Sequence, residues 1–211
     1  GNADGGFTSA RFERIRDIVY HAGMNSLFII DADNRAIREL DLATKTVSTL
    51  IQLRPTSFFG QPARLALDPS EENIYFSGSS MLAKVNIATK ALTLLTSITS
   101  ETGFKDGALS SAKINNPSEL IFLNEDTILI ADALNQRLRV IDLKTSSISS
   151  ICKAPPPSPP DGVIFPDSID GDIRTCGLRF PQTMLYRPEM NRILIGEFGS
   201  IRQLAVLTGK H

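Results

Sequence analysis

The sequence of 211 residues contains no tryptophan, two histidines and two cysteines. The histidines, His21 and His211, are too few for a metal site built from several histidines. Two cysteines are too few for the disulfide framework of a small secreted domain. The sequence has no apolar run of about 18 residues or more, which excludes a membrane-spanning helix. Its N-terminal residues are small and polar, so we expect no signal peptide within it.

The sequence also lacks an excess of positive or negative charge. The 22 Lys and Arg residues are balanced by 23 Asp and Glu residues, and the net charge is -1. This balance excludes a strongly basic nucleic-acid binder and an acidic tail protein by composition. No acceptor site for N-glycosylation is present, because Pro117 blocks Asn116-Pro117-Ser118. That absence fits an intracellular setting and leaves a secreted one open.

The sequence contains internal repeats, which are the most informative signal in it. An offset of 102 positions places residues 106–114 on residues 4–12, and it places Leu120 on Ile18. An offset of 101 positions places Arg139 on Arg38. Two weaker copies occupy the remaining sequence. The whole chain, 1–211, therefore divides into four units, roughly 4–53, 57–98, 106–154 and 161–210.

Each unit is predicted to form four short strands. In the third unit these are 119–123, 127–131, 137–143 and 147–153, all rich in Ile, Leu and Val and separated by turn residues. No segment shows a sustained helical period. Four-stranded units that repeat every 40 to 50 residues or so are typical of a β-propeller. The fold class is therefore all-β, with antiparallel four-stranded blades.

The third unit resembles the NHL repeat. It contains Asp106-Gly107, then Ala112-Lys113-Ile114-Asn115-Asn116-Pro117, then Ala131-Asp132-Ala133-Leu134-Asn135-Gln136-Arg137-Leu138-Arg139. The first unit matches nearly as well but has Ile15 in place of the proline. The second and fourth units keep the proline and lose the Asp–Asn pair. The missing tryptophan argues against WD40 repeats.

The resemblance implies a ring of about six blades, whereas the sequence contains four units. We therefore expect an incomplete arc of a larger propeller, completed by residues outside this sequence or by another chain. A closed ring of four blades is the alternative. An arc would expose sheet faces and strand edges unless a further element covers them.

Charged residues recur at matching positions of the units. Carboxylates occupy one position and arginines occupy another, which predicts hydrogen-bonded ion pairs that support the scaffold: Asp31, Asp132 and Glu197, with Arg38, Arg139 and Arg202. An alternative hypothesis treats Arg35, Arg38, Arg137 and Arg139 as a basic patch.

The cysteines and the internal histidine are interpreted as structural. Cys176 aligns with small residues and Cys152 aligns with an apolar position of an outer strand, so each is expected to pack as a small apolar side chain. A disulfide between them is the alternative. A zinc site would need four ligands at close spacing. His21 is expected to be a surface turn residue.

The connection between the third and fourth units differs most from the repeat. Its proline-rich part, 154–160, predicts a stiff connector or a docking ligand for an aromatic groove. The following loop, 161–177, is the expected recognition loop, with five candidate binding residues: Asp161, Asp167, Asp170, Asp172 and Arg174. Its acidic spacing lacks the terminal Glu of a calcium loop. We expect no metal site and no cofactor.

Three functions are compatible with the sequence. A non-catalytic scaffold that presents loops to another protein fits the repeats and the lack of catalytic histidines. A calcium-dependent lactonase or another propeller hydrolase is the first alternative. The second alternative is RNA binding by the NHL units, which the balanced charge disfavours.

Overall fold

A computed structural model of the protein describes residues 1–53, 63–96, 102–152, 178–197 and 199–205. These residues form four antiparallel sheets. Each sheet is built from strands that follow one another in the chain, and neighbouring sheets pack face to face. The sheets are the four blades of a β-propeller, which confirms the predicted fold class.

The described residues contain seventeen strands. In chain order they are β1 (Gly5–Gly6), β2 (Ile15–His21), β3 (Ser26–Asp31), β4 (Ala36–Asp41), β5 (Thr46–Gln52), β6 (Arg64–Leu67), β7 (Asn73–Ser77), β8 (Leu82–Asn86), β9 (Leu92–Leu94), β10 (Gly107–Ala108), β11 (Pro117–Asn124), β12 (Thr127–Asp132), β13 (Arg137–Asp142), β14 (Ser147–Cys152), β15 (Thr183–Arg187), β16 (Arg192–Glu197) and β17 (Ser200–Ala205). The four strands predicted for the third unit coincide with β11 to β14 to within two residues.

The innermost strands of the four blades are β2, β6, β11 and β15. Blade 1 has the order β1-β5-β4-β3-β2, blade 2 has β6-β7-β8-β9, blade 3 has β10-β14-β13-β12-β11, and blade 4 has β15-β16-β17. Strand β6 contacts β2 on one side and β11 on the other, and β11 contacts β15. The inner strands of the four blades thus line up side by side.

The outermost strand of blades 1 and 3 comes from the segment that leads into the blade. Gly5 pairs with Val47 through β1, and Gly107 pairs with Ile148 through β10. The same two-residue pairing recurs 102 positions apart, as the repeat predicts. These short strands tie each leading segment to the far edge of its blade.

The apolar core lies between the blades, in three clusters. Strand residues alternate between the two faces of a sheet, so each blade offers one apolar row to each neighbour. The cluster between blades 1 and 2 contains Phe28 and Phe76. The cluster between blades 2 and 3 contains Tyr75 and Ile130. The cluster between blades 3 and 4 contains Leu129 and Ile193.

Several predictions concern residues outside the described ranges. The proline-rich segment 154–160 and the candidate recognition residues Asp161, Asp167, Asp170, Asp172 and Arg174 all belong to this group. Within the described residues, no helix is long and apolar enough to cross a membrane.

Candidate functional site

The recurring carboxylates and arginines pair as the repeat predicts. Arg38 Nη1 lies 2.9 Å from Asp31 Oδ2, and Arg139 Nη1 lies 2.8 Å from Asp132 Oδ2. The fourth blade has a looser pair, in which Arg202 Nε lies 3.9 Å from Glu197 Oε2. All of these side chains are buried. The pairs therefore belong to the scaffold.

Two of the four arginines in the hypothetical basic patch belong to these buried pairs. Arg38 and Arg139 are 0 % exposed and hold carboxylates, so their charges are not available to a polyanion. Arg35 and Arg137 are half-buried, and the guanidinium of Arg137 lies 4.0 Å from the centre of the Phe104 ring. The four arginines do not form one exposed surface.

A row of polar side chains crosses the inner strands where the sequence analysis placed no site. Asp17, Arg64, Glu119 and Thr183 occupy the same position of β2, β6, β11 and β15, two residues after Ile15, Pro62, Pro117 and Pro181 in the repeat. We call these four residues the inner polar row. Because the residue type differs in every blade, the scaffold alone does not explain the row.

Hydrogen bonds join the inner polar row to neighbouring blades. Asp17 Oδ2 accepts the Leu65 N–H at 2.7 Å, and Asp17 Oδ1 accepts the Ile18 N–H at 2.9 Å. Glu119 Oε1 accepts the Leu120 N–H at 3.2 Å, and its Oε2 accepts the Thr183 hydroxyl at 3.3 Å. Each carboxylate is thus held in place by its own blade and by the next one.

Arg64 links three blades through main-chain carbonyls. Its Nε donates to the Ser118 carbonyl of blade 3, and its Nη1 donates to the Arg16 carbonyl of blade 1 at 3.2 Å and to the Ala63 carbonyl at 3.4 Å. These acceptors are uncharged. The guanidinium therefore acts on the carboxylates of Asp17 and Glu119 through the electrostatic attraction of its charge and not through a hydrogen bond.

Burial raises the pKa of both carboxyl groups. For Asp17 the loss of solvation outweighs the backbone hydrogen bonds and the charge of Arg64, which act in the opposite direction. For Glu119 burial is again the largest cause, and the nearby charge of Asp17 raises the pKa further. The hydrogen bonds and the positive charge that the protein supplies therefore do not offset the loss of solvation of these two carboxylates.

Two members of the inner polar row, Asp17 and Glu119, line a cavity of about 500 Å³. The inner strands of all four blades line this cavity, and its apolar wall includes Ile18, Tyr20, Phe122 and Met184. Ile18 is 49 % exposed and Tyr20 is 50 % exposed. Carboxylates set among apolar side chains in an open cavity suit a ligand that carries both a positive charge and apolar groups.

A second cavity, of about 530 Å³, lies between blades 1 and 2 next to His21. His21 is 7 % exposed rather than a surface turn residue, so that expectation was wrong. Its Nε2 lies 2.9 Å from the Glu71 carbonyl oxygen, and its Nδ1 accepts the Met24 N–H at 3.1 Å. Blade 2 covers the imidazole, which the sequence of blade 1 alone does not reveal.

The Glu71 carboxylate anchors the same turn. It accepts the Gly23 N–H at 3.1 Å and the Ala22 N–H at 3.3 Å. The hydrogen bond from Gly23 is the main cause that lowers the pKa of Glu71, and the nearby His21 acts in the same direction. This contact between the β2–β3 turn and blade 2 is structural.

Cys152 is disulfide-bonded, which corrects the expectation of two separate packed thiols. It is also 0 % exposed in the cluster between blades 3 and 4, so its assignment to an apolar position is confirmed. The one other cysteine of the sequence, Cys176, lies outside the described residues. Among the described residues, no group of three or more His, Cys, Asp or Glu side chains could hold a metal ion.

Comparison with known sequences yields one short similarity. No protein family model matches the chain. Over 50 residues the chain is 40 % identical to the Arabidopsis thaliana protein named "Protein SUPPRESSOR OF QUENCHING 1, chloroplastic". This match covers 24 % of the chain and 5 % of that much longer protein.

Comparison with solved structures supports the fold. An auxiliary nutrient binding protein from Bacteroides ovatus matches 89 % of the chain with a TM-score of 0.71 and 16 % identity. Its counterpart from Bacteroides thetaiotaomicron matches 86 % with a TM-score of 0.68 and 14 % identity. A chain of a nidogen/laminin complex matches 92 % with a TM-score of 0.60 and 11 % identity.

The matches span 46 %, 44 % and 65 % of those three structures, respectively. The chain therefore corresponds to a part of each of them. At these identities the similarity shows the β-propeller fold and no more.

Proposed function

We propose that this protein is a non-catalytic protein-binding scaffold built from NHL-type repeats, and that its inner cavity takes a basic side chain of the partner. One observation carries the proposal. The partly buried carboxylates of Asp17 and Glu119 line a cavity of about 500 Å³ between the inner strands of the four blades, beside apolar side chains such as Tyr20 and Phe122.

The charges of the inner polar row favour a cationic ligand. The row contributes the carboxylates of Asp17 and Glu119 to the cavity wall, and the wall also contains the carboxylates of Asp68 and Glu71. The charge of Asp17 raises the pKa of Glu119, and a lysine or arginine side chain between the two carboxylates would offset this repulsion. Tyr20 and Phe122 offer apolar contacts to the methylene groups of such a side chain.

The repeating polar contacts support the NHL assignment. Asn34 Nδ2 donates to Asp31 Oδ2 and Asn135 Nδ2 donates to Asp132 Oδ2, each at 2.8 Å. These side chains occupy the Asp–Asn positions of the motif that blades 1 and 3 resemble. The motif residues thus form one recurring cluster with the buried arginine of their blade.

A binding role agrees better with the cavity than a hydrolytic one. Thr183 is the hydroxyl residue of the inner polar row, and it donates to Glu119. A triad of the serine-protease type also needs a base that contacts the nucleophile. The one internal histidine, His21, instead contacts Glu71 and Met24 in the second cavity.

The structural relatives are consistent with binding by this fold. Two of them are auxiliary nutrient binding proteins, and the third belongs to a nidogen/laminin complex. Because the chain spans less than half of the nutrient-binding proteins, the activity of the whole protein stays part of the proposal.

The test uses two peptides that differ at one residue, a lysine or a glutamate between two phenylalanines, so that one carries a positive charge where the other carries a negative one. We expect the lysine peptide to bind the protein more tightly in calorimetric titrations. Asp17→Asn and Glu119→Gln should each weaken its binding by about tenfold, since a hydrogen bond to a charged group contributes roughly 1.5–3 kcal/mol. Glu125→Gln, an exposed carboxylate in the β11–β12 turn, is the matched control and should leave binding unchanged.

The pH dependence gives a second readout. The pKa of both carboxyl groups lies above its usual value, so binding should decline on acidification at a higher pH than an exposed carboxylate would produce. Equal affinity for the two peptides, or full affinity in both variants, would contradict the proposal. Turnover of a lactone panel that Glu119→Gln abolishes would favour the hydrolase instead.

A further inference from the structure

The cavity lined by Asp17 and Glu119 contains a second pair of acidic residues. Among the described residues that line it, four are acidic and none is a lysine or an arginine. The second pair consists of Asp68, directly after the end of β6, and Glu71, in the β6–β7 turn. We call Asp17 and Glu119 the first acidic level and Asp68 and Glu71 the second acidic level.

The distance between the two levels follows from the inner strands β2 and β6. Asp17 accepts the Leu65 N–H near the start of both strands. His21 contacts the Glu71 carbonyl just beyond their other end, so the two strands run side by side in the same direction. His21 lies four residues after Asp17, and Asp68 lies four residues after the first residue of β6. At a rise of about 3.3 Å per residue, the two levels are roughly 13 Å apart.

The hydrogen bonds of the second level come from uncharged groups. Asp68 Oδ1 accepts the Glu72 N–H at 3.0 Å and the Asn73 N–H at 3.1 Å. Asp68 Oδ2 accepts the side-chain amide of Asn73 at 2.7 Å. The Glu71 carboxylate accepts two main-chain N–H groups of the β2–β3 turn. These donors orient the two carboxylates and add no positive charge to the cavity wall.

Apolar side chains of the wall separate the two levels. Ile18 and Tyr20 follow Asp17 on β2, and both are about half exposed. Phe122 follows Glu119 on β11 in the same way. A ligand that lies along the inner strands therefore meets negative charge, then apolar surface, then negative charge.

We propose that the partner segment bound in this cavity is an extended peptide with basic residues at positions i and i+4 and an apolar residue at i+2. In an extended chain these three side chains lie on one face, and residues i and i+4 are also roughly 13 Å apart. One basic group then contacts the first acidic level, and the other contacts the second. The apolar side chain contacts Tyr20 between them. This inference rests on the proposed function, to which it adds the spacing of the charges.

Two isomeric peptides with blocked termini test the spacing. Lys-Ala-Phe-Ala-Lys carries its lysines at the proposed spacing and on the same face as its phenylalanine. Ala-Lys-Phe-Lys-Ala has the same composition and net charge, but its lysines are two residues apart on the face opposite the phenylalanine. We expect the first peptide to bind about tenfold more tightly in calorimetric titrations, because the second can place only one lysine at an acidic level.

A variant of the second level tests the same point from the protein. Asp68→Asn removes one charge and keeps an oxygen that can accept the N–H groups of the turn. It should reduce the preference for the first isomer to about threefold. Glu72→Gln is the matched control, because Glu72 is an exposed residue of the same turn that does not line this cavity, and it should keep the full preference. Thermal unfolding verifies that each variant is folded.

Equal affinity of the unmodified protein for the two isomers would overturn the inference, and so would tighter binding of the second isomer. A full preference in folded Asp68→Asn would show that the second level does not contact the peptide. These results leave the proposed function intact if a lysine between two phenylalanines still binds more tightly than a glutamate. Equal affinity for that lysine and that glutamate peptide would instead remove the proposed function and this inference together.

Discussion

The guanidinium group of Arg139 donates hydrogen bonds to several acceptors within blade 3. Its Nη1 donates to Asp132 Oδ2 and to the Lys113 carbonyl, each at 2.8 Å. Its Nη2 donates to Asp106 Oδ1 at 2.8 Å and to the Lys105 carbonyl at 2.7 Å. A buried charge is tolerated only when it is paired and hydrogen-bonded in this way. The contact ties the segment that leads into the blade to the middle of the sheet.

Burial nevertheless raises the pKa of Asp132, because desolvation outweighs the hydrogen bonds from Asn135, Asn115 and Arg139. The carboxylate therefore depends on its partners to stay ionised in the folded protein. Removal of the arginine would leave it buried without its counterion.

We expect Arg139→Met to lower the free energy of unfolding by roughly 3–5 kcal/mol, because it leaves a buried carboxylate unpaired. Arg137→Met, two residues away on the same strand, removes a half-buried guanidinium stacked on Phe104 and should cost about 1 kcal/mol or less. Denaturant-induced unfolding measures both values. Similar losses in the two variants would show that the buried pair is not special.

At the scale of secondary structure elements, the two-residue strands β1 and β10 attach the segments that lead into blades 1 and 3 to the outer edges of these blades. Gly5 has φ of 140° and Gly107 has φ of 118°, which L-residues with a side chain rarely adopt. A Cβ atom on Gly5 would lie 2.7 Å from Ser9 Oγ, whereas one on Gly107 would meet nothing within 4 Å. The two equivalent glycines thus share a backbone requirement and differ in their surroundings.

Gly107→Ala should therefore cost roughly 1–3 kcal/mol through backbone strain alone. Gly5→Ala should cost more, because the hydroxyl of Ser9 must also move. The control is Gly6→Ala in the same strand, whose Cβ would lie 3.8 Å from Ser9 Oγ and whose φ is not in the left-handed region. Amide hydrogen exchange of β5 and β14 would localise the effect. A loss in Gly6→Ala as large as in Gly107→Ala would contradict this account.

For the molecule as a whole, stability depends on contacts between successive blades rather than on one central core. Each of the three apolar clusters is shared by two neighbouring blades. Such an architecture adds stability contact by contact along the chain.

The disulfide at Cys152 adds a covalent constraint next to the cluster between blades 3 and 4. A thiol assay should detect no free cysteine in the unreduced protein, because Cys152 is disulfide-bonded and the sequence contains one other cysteine. Reduction should lower the free energy of unfolding by about 2–5 kcal/mol. Cys152→Ala should be equally destabilised without reductant and should not respond to it. A reductant that leaves the unmodified protein unchanged would show that the disulfide contributes nothing.

Part of the candidate site was accessible from the repeat, and part was not. The pairing of Arg38 with Asp31 was predicted because both residues recur on neighbouring strands of one unit, which makes the contact local. The inner polar row was missed because its members differ in every unit, and because four separate blades bring them together. Its signal was positional: Asp17, Glu119 and Thr183 follow the same repeat position by two residues.

The sequence by itself determined the repeating antiparallel units, most of their strands and the buried ion pairs, because short-range pairing of consecutive strands follows from the pattern of apolar and turn residues. Only the tertiary structure decided that His21 lies beneath blade 2, that Cys152 is bonded, and that Asp17 and Glu119 share a cavity wall. His21 and its partner Glu71 are 50 positions apart, and Asp17 and Glu119 are 102 positions apart, so their proximity comes from the packing of one blade against the next. The pattern of apolar and polar residues within one unit shows which faces of its sheet are apolar, but it does not show which residues of another blade they contact.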